Sequence, residues 1–289
     1  MERRCRAVNE TEMQLRVRHT TGYHYGAGAA ASFNEARMTP QNTSDQYVLR
    51  SRLDVKPTPW SLEYTDYWGT TVTSFQVQEP HTDLSVVAMS TVETRVPTAT
   101  GTTIDWVDLD AVRDEHCEFL TISDWVRPAP ELVAELEPIR TASATPSAFV
   151  EAVFALVYQR IKYQPGSTEV TTRAADAWQD GNGVCQDIAH IAIGALRSVG
   201  IPARYVSGYL HPSREPQIGE TVEGESHAWI EYWDGEWVGF DPTNDVPQGL
   251  RHVVVAKGRD YDDCPPLRGI FSAAGGSDLF VGVEITRIQ

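Results

Sequence analysis

Alternation of apolar and polar side chains is the strongest pattern in the first hundred residues. Residues 13–19 alternate between the two classes, which is the period of a strand with one buried face. Similar runs occupy 46–55, 71–77 and 84–94, and the proline- and glycine-containing segments between them favour turns. Several short strands separated by turns bury their apolar faces by packing on one another. The pattern therefore predicts a small antiparallel sandwich or barrel over residues 13–100.

Helical spacing replaces this alternation further along the chain. Apolar residues between 149 and 157 form one stripe, and Thr145-Pro146 before them is typical of an N-cap followed by a first-turn proline. A second apolar stripe lies between 188 and 196. It predicts a helix that begins near Cys185 and ends at Gly200-Ile201-Pro202.

Further strands follow the second helix. They are predicted at 203–210, 226–233, 236–241, 252–256 and 279–286. The segment 211–225 is rich in proline, glycine and charge, and we expect it to be an exposed loop that could gate a neighbouring site. The chain as a whole predicts an α+β fold with three regions: a flexible N-terminus (1–12), a β domain (13–100) and a mixed core with a C-terminal extension (101–289).

The composition is that of a globular protein, and its charge narrows the range of partners. Apolar residues make up 41% of the 289 residues, and charged residues make up 22%. The formal net charge of −16 repels phosphate backbones and anionic lipid head groups. We therefore expect neither nucleic-acid nor membrane binding, and nothing in the sequence indicates an oligomeric state.

The cysteines are too few and too scattered for a disulfide framework. Cys5, Cys117, Cys185 and Cys264 form no C-x-x-C pair and no metal-type spacing with histidine. The polar opening lacks the apolar core of a signal peptide, and no window approaches the length of a membrane span. These features predict a cytoplasmic protein with reduced thiols, without a metal or a cofactor.

The motif G-N-G-V-C-Q-D (181–187) gives Cys185 a special position. Two glycines allow a tight approach into the helix and place the thiol at its N-terminus. Unpaired backbone N–H groups and the helix dipole there favour a thiolate, and the Cys185 amide could stabilise an oxyanion. The alternative is that Cys185 is a small buried apolar residue, as free cysteines often are.

His227 and Asp241 lie on consecutive predicted strands, and the register of the hairpin decides whether they meet. With a two-residue turn at Asp234-Gly235, Asp241 would oppose Ala228 and point away from His227. With a three-residue loop over 233–235, Asp241 would lie directly opposite His227. A Cys-His-Asp triad requires the second register.

These three residue types are those of nucleophilic acyl transfer. A free thiol has a pKa of about 8.5 and is mostly protonated at neutral pH. A paired histidine takes its proton, and a carboxylate orients the imidazole and stabilises its charged form. Cys185 would then attack an amide carbonyl, release an amine, and pass the acyl group to water or to a second amine.

Several segments carry a resemblance to a known family. They are G-V-C-Q-D-I-A-H (183–190), L-R-S-V-G-I-P-A-R-Y-V-S-G-Y-L (196–210), S-H-A-W-I-E-Y (226–232) and W-V-G-F-D-P-T-N (237–244). Together they resemble the core of the bacterial transglutaminase-like superfamily over roughly residues 145–246. Further segments at 33–40, 66–70, 252–263 and 266–271 resemble the β-rich N-terminal domain and the C-terminal extension that accompany this core in bacteria.

The resemblance implies a papain-like α+β core, an N-terminal antiparallel β-sandwich, and a catalytic triad of Cys185, His227 and Asp241. It leaves the reaction open, because the superfamily includes cross-linkers, peptidases, amidases and inactive proteins. The calcium dependence of the animal cross-linkers is not expected here, since the acidic residues of 260–263 lack calcium-loop spacing. We expect a peptidase or amidase acting on a peptide or protein amide. The alternatives are a transamidase and a silent peptide-binding module.

Five further residues are weaker candidates for the substrate cleft. Tyr163 and Gln164 precede the nucleophile helix and could add an oxyanion donor, although a structural role is the simpler interpretation. Trp229 shares the His227 face of its strand and could line the cleft or belong to the core. Arg259 and Tyr261 match a motif of the resembled family and could border the cleft.

Overall fold

The structure is a computed structural model, and it describes residues 11–98, 101, 104–273 and 275–289. The predicted flexible N-terminus, 1–12, lies almost entirely outside the described residues. No helix within the described ranges has both the length and the hydrophobicity needed to cross a bilayer.

Strands make up most of the regular secondary structure in the described residues. They are β1 (Glu12–Ala36), β2 (Gln46–Lys56), β3 (Trp60–Thr65), β4 (Thr71–Val77), β5 (His81–Arg95), β6 (Lys162–Tyr163), β7 (Asn182–Gly183), β8 (Ala203–Leu210), β9 (Thr221–Trp233), β10 (Trp237–Asp241), β11 (Val246–Pro247), β12 (His252–Gly258), β13 (Leu267–Ala273) and β14 (Ser277–Arg287). The α-helices are α1 (Trp106–Ala111), α2 (Pro130–Ala142), α3 (Pro146–Arg160), α4 (Ala174–Asp180) and α5 (Cys185–Ser198), and single 3₁₀ turns span Cys117–Leu120 and Tyr261–Asp263.

The long strand β1 organises the N-terminal β structure. Its first half, up to His24, pairs antiparallel with β5 and β14, and its second half, from Ala29, pairs mainly with β13 and β4. The register of its pairing with β5 shifts between His24 and Ala29, as at a β-bulge. Apolar residues of β4 and β5, among them Phe75 and Leu84, share one buried cluster. Two faces therefore pack on each other, and the antiparallel architecture predicted for this region is confirmed.

Strand β14 joins this β structure to the rest of the molecule. It pairs with β1 on one side and with β9 on the other, and both pairings are antiparallel. The sheet path runs β11-β10-β9-β14-β1-β4-β3, so the hairpin that carries His227 and Asp241 belongs to the same sheet as the N-terminal strands.

The helix α5 lies in the largest apolar cluster. It begins at Cys185, as predicted, and every residue from Gln186 to Arg197 is buried. It packs against β8 and β9 and against the helices α3 and α4. The predicted N-cap of α3 is also confirmed, because the Thr145 side chain accepts a hydrogen bond from the Ala148 N–H at 3.2 Å. The mixed helix-and-sheet core expected from the sequence is thus confirmed.

One predicted loop is shorter than expected. Strand β9 begins at Thr221, so only the first part of the segment 211–225 is a loop. Residues 221–224 pair with β14, with Thr221 and Glu223 exposed and Val222 and Gly224 half-buried. Val222 is the single apolar side chain on the inner face of this stretch, which is too little for the sequence pattern to reveal a strand.

We predict that Gly194→Ala destabilises the protein. A Cβ at Gly194 would lie 1.9 Å from the Val126 carbonyl oxygen, so the helix and its neighbouring segment would have to separate. We expect the free energy of unfolding to fall by about 2 kcal/mol or more, as measured by urea denaturation. Gly282→Ala is the matched control, because a Cβ there meets no atom within 4 Å. Equal stability of the two variants would contradict the prediction.

Candidate active site

Cys185 stands at the start of α5, on a turn that two neighbouring contacts hold in place. The Asp187 carboxylate accepts hydrogen bonds from the Val184 N–H at 2.8 Å and from the Thr168 hydroxyl at 2.6 Å. Gly183 makes this turn possible, because a Cβ there would lie 2.9 Å from the Asp187 Cβ. The thiol is half-buried, and the N-terminal N–H groups of a fourteen-residue helix surround its position.

His227 lies between the thiol and a buried carboxylate. Its side chain is only 10% exposed, and its Nε2 lies 2.7 Å from Asp241 Oδ2. The Cys185 thiol also influences this imidazole, because its interaction with the ring raises the pKa of His227. The structure therefore brings together the three residues that the sequence selects.

The hairpin register that achieves this differs from the predicted one. Trp233 pairs with Trp237, so the loop consists of Asp234, Gly235 and Glu236. Continued to Asp241, this register aligns the aspartate with Trp229, two residues from His227. The prediction of direct opposition was wrong, but a shift of two residues keeps both side chains on one face. They meet as diagonal neighbours.

Asp241 is fully buried, and hydrogen bonds reach both of its oxygens. Oδ1 accepts from the backbone N–H groups of Thr243 and Asn244, at 3.0 and 3.2 Å. Oδ2 accepts from the Asn244 amide at 2.7 Å and lies 3.3 Å from His252 Nε2. Burial alone would raise the pKa of Asp241, but its hydrogen bonds with the two histidines outweigh burial and hold the pKa well below the ordinary value. The carboxylate is therefore ionised.

The ionised carboxylate controls the proton affinity of His227. Burial by itself would lower the pKa of this imidazole. The hydrogen bond to Asp241 and the interaction with Cys185 act in the opposite direction and raise it to about 10. An imidazolium is accordingly the stable form at neutral pH, as an imidazolium–thiolate pair requires.

A buried tryptophan supports the imidazole. Trp229 is fully buried, and its ring stacks on that of His227 with centroids 6.0 Å apart. Its Nε1 donates a 2.7 Å hydrogen bond to Gln248 Oε1. Gly208 leaves room for the ring, because a Cβ there would lie 2.8 Å from the Trp229 ring and 2.0 Å from a backbone oxygen.

A cavity of about 330 Å³ opens beside His227. Its lining comes from both sides of the site: Tyr163, Leu210, Pro212, Glu223, Gly224, Glu225, His227, Thr243, Asn244 and Arg251. The Tyr163 hydroxyl donates a 2.9 Å hydrogen bond to Glu225 Oε2, which links the segment before Cys185 to the strand of His227. The cavity can therefore hold a substrate group against the imidazole.

Sequence comparisons place this architecture in a family. The bacterial transglutaminase-like N-terminal region matches residues 15–93, and the transglutaminase-like superfamily matches residues 135–242. An uncharacterised protein of Mycobacterium leprae is 44% identical over 277 residues, which cover 95% of this chain and 99% of that protein. The chain belongs to the transglutaminase-like superfamily. The resemblance noted in the sequence is thus confirmed, and this family is one of cysteine-based acyl transfer.

Two further proteins are similar to this chain, one in structure and one in sequence. The crystal structure of a candidate cysteine protease from Cytophaga hutchinsonii matches with a TM-score of 0.78 at 24% identity, covering 97% of this chain and 92% of that one. This match supports the papain-like fold. A protein-glutamine gamma-glutamyltransferase of Pseudomonas aeruginosa is 31% identical over 157 residues, which cover 48% of this chain and 23% of that protein.

The five weaker candidates of the transglutaminase-like chain are dispersed. Tyr163 lines the cavity, and Gln164 is exposed beside it with its backbone N–H bonded to the Gly183 oxygen. Trp229 is fully buried and does not line the cavity. The strand pattern predicts the face on which it lies, but not the segments that cover that face. Arg259 forms an ion pair with Asp263 at 2.9 Å. Tyr261 packs against Trp125, and its backbone N–H donates a 3.1 Å hydrogen bond to His190 Nε2. Neither of these last two belongs to the cavity lining.

Residues missed by sequence reasoning complete the site. Asn244 had a local signal, since a polar residue three positions after an aspartate can fold back on it in a turn. Gln248 and His252 had none, because their contacts depend on how distant segments pack.

Among the described residues, His227, Asp241 and His252 offer ligand-type atoms within 4.8 Å of one another. The hydrogen bonds do not suit a metal. His252 Nδ1 accepts from the Gly249 N–H at 3.1 Å, so the proton of the neutral ring is on Nε2, which leaves no lone pair there.

We predict that His227 stabilises the folded protein below neutral pH and loses this effect in alkali. Its pKa rises on folding from 6.5 to about 10, so its contribution is complete below pH 6.5 and disappears as the pH rises through 10. The difference in free energy of unfolding between the wild type and His227→Gln should therefore shrink by about 1 kcal/mol or more over that range, since one pKa unit corresponds to about 1.4 kcal/mol.

His19→Gln is the control for this titration. Burial lowers the pKa of His19 to about 4, so this ring is neutral in both states above pH 6.5. Its stability difference should not change over the same range. A constant difference for His227→Gln would contradict the prediction.

Proposed function

We propose that this protein is a cysteine peptidase or amidase that cleaves a peptide or protein amide through a thioester. Cys185 is the nucleophile, His227 the general base and acid, and Asp241 the carboxylate that orients and charges the imidazole. The observation that carries the proposal is the position of His227, which is hydrogen-bonded to the fully buried carboxylate and interacts with the thiol at the start of α5.

The first half-reaction forms the acyl-enzyme. The Cys185 sulfur attacks the carbonyl carbon, and a C–S bond forms as negative charge develops on the oxygen. The N-terminal N–H groups of α5 favour that charge. When the intermediate collapses the C–N bond breaks, and the His227 imidazolium gives its proton to the departing amine.

The second half-reaction releases the acyl group. A water molecule gives a proton to the neutral His227 as its oxygen attacks the thioester carbon. The C–S bond then breaks, a carboxylic acid leaves, and the thiolate–imidazolium pair is restored. A primary amine in place of water would give a new amide instead, and this step separates a hydrolase from a transamidase.

The cavity beside His227 has room for a side chain of an amide substrate. Tyr163 and Asn244 lie at its wall, and both offer hydrogen-bonding groups next to the imidazole. Burial raises the pKa of Tyr163, and so does its hydrogen bond to Glu225, so the hydroxyl keeps its proton. We propose that this cavity binds the residue next to the scissile amide.

We predict that iodoacetamide alkylates Cys185 faster than an ordinary thiol at neutral pH, because the thiol gives its proton to His227. Peptide mass spectrometry across a pH series follows each cysteine, with the exposed Cys117 as the internal comparison and the fully buried Cys264 as the unreactive one. In His227→Ala, Cys185 should lose this advantage and react no faster than Cys117. A wild-type profile that coincides with that of Cys117 would sink the activated pair.

We further predict that amide turnover depends on Cys185 and that water is the acyl acceptor. In a screen of fluorogenic peptide amides, Cys185→Ala should lower the rate by roughly 10⁴-fold or more, while Cys117→Ala leaves it unchanged. An added primary amine should not appear in the product. An amine adduct detected by mass spectrometry would instead identify a transamidase.

A further inference from the structure

A second imidazole reaches the oxygen that holds His227. His252, the first residue of β12, is 3% exposed, and its Nε2 lies 3.3 Å from Asp241 Oδ2. His227 Nε2 lies 2.7 Å from the same oxygen. The Trp229 ring packs against both histidines, stacked on His227 and edge-on to His252 with centroids 5.2 Å apart.

The hydrogen bonds of His252 fix its tautomer. The Gly249 N–H donates to Nδ1 at 3.1 Å, so this nitrogen carries a lone pair. The proton of the neutral ring is then on Nε2 and points at Asp241. Burial lowers the pKa of His252 more than the carboxylate raises it, which keeps the ring neutral. His252 is therefore a fixed, uncharged donor to Asp241.

We propose that His252 is a positioning residue that acts through Asp241 to limit the proton affinity of His227. The inference rests on the proposed function, since it concerns the acid and base of that reaction. Asp241 Oδ2 accepts hydrogen bonds from His227, His252 and the Asn244 amide. Donors that share one acceptor draw on the same negative charge, so each weakens the hold of the carboxylate on the others.

The consequence concerns proton transfer to the leaving amine. An imidazolium held too strongly by Asp241 would be a poor acid, because its proton would leave with difficulty. A neutral competing donor weakens that hold without adding a positive charge beside the imidazolium. His252 meets both conditions, and it does not line the cavity, so it acts without touching the substrate.

Other ionisable groups face this cluster and must be held constant in any test. They are Cys185 on α5, Arg251 immediately before β12, and Tyr163 with Glu225 at the cavity. The proton affinity of His227 is best measured in a Cys185→Ala background, where the imidazole titrates without a neighbouring thiol.

The test is a ¹⁵N NMR titration of His227 in that background, with two substitutions that separate the hydrogen bonds of His252. The shorter side chain of His252→Asn can still accept from Gly249 but does not reach Asp241. The longer side chain of His252→Gln can place its amide N–H on Asp241. We expect the pKa of His227 to rise by about half a unit, or about threefold in proton affinity, in His252→Asn. In His252→Gln it should stay close to the parent value.

His252→Phe supplies a second donor-free variant that fills the ring's volume, in case the asparagine variant does not fold. A pKa of His227 that is unchanged or lowered in a folded donor-free variant would overturn the inference. The Cys185 alkylation profile of the wild-type chain is run in parallel. Activated Cys185 with an unmoved His227 titration refutes the role of His252 alone, whereas an unactivated Cys185 refutes the proposed function.

Discussion

The arrangement of the site depends on the burial of one carboxylate, that of Asp241. Asp241 has no exposed surface, and an ionised carboxylate in such a place must be surrounded by donors or lose its charge. The turn that follows β10 supplies two backbone N–H groups and the Asn244 amide, and β9 and β12 each supply an imidazole. The positions of two strands and one turn thus converge on a single side chain.

The sheet brings these donors to the carboxylate. His227 lies in the part of β9 that pairs with β8, opposite Gly208, while the earlier part of β9 pairs with β14. Cys185 comes from a different layer, at the start of a helix that packs against the same two strands. Cys185 and His227 therefore meet where the N-terminus of a deeply buried helix lies against the sheet.

Much of this fold can be predicted from local sequence patterns. The helix start at Cys185 is encoded by the glycines and the apolar stripe around it, and β8 spans 203–210 as its pattern predicts. The hairpin register was not available in the same way, because Gly235 can occupy different positions in a three-residue loop. The face of the sheet on which Asp241 lies could nevertheless be predicted, because it depends only on whether the hairpin register shifts by an odd or an even number of residues.

The remaining features depend on long-range packing, which no local pattern records. The alternation of β9 predicts the face of the sheet on which Trp229 lies. It does not predict that Gln248 and His252 cover the indole on that face. In the sequence, nothing distinguishes His252 from the apolar strand residues that follow it. Its contact with Asp241 arises only because β12 pairs with β8.

The place of β14 in the sheet has a consequence for biosynthesis. The wall of the cavity at Glu223 and Gly224 is flanked by Glu284 and Val283, some sixty positions later in the chain. A ribosome makes residues in order, so Cys185, His227 and Asp241 all exist before the strand that completes the sheet between β1 and β9. Until residues 277–287 have emerged, both neighbours present open strand edges, and Cys185 lies on an unfinished scaffold. The sheet that surrounds the site can therefore close only after all three residues of the site have been synthesised.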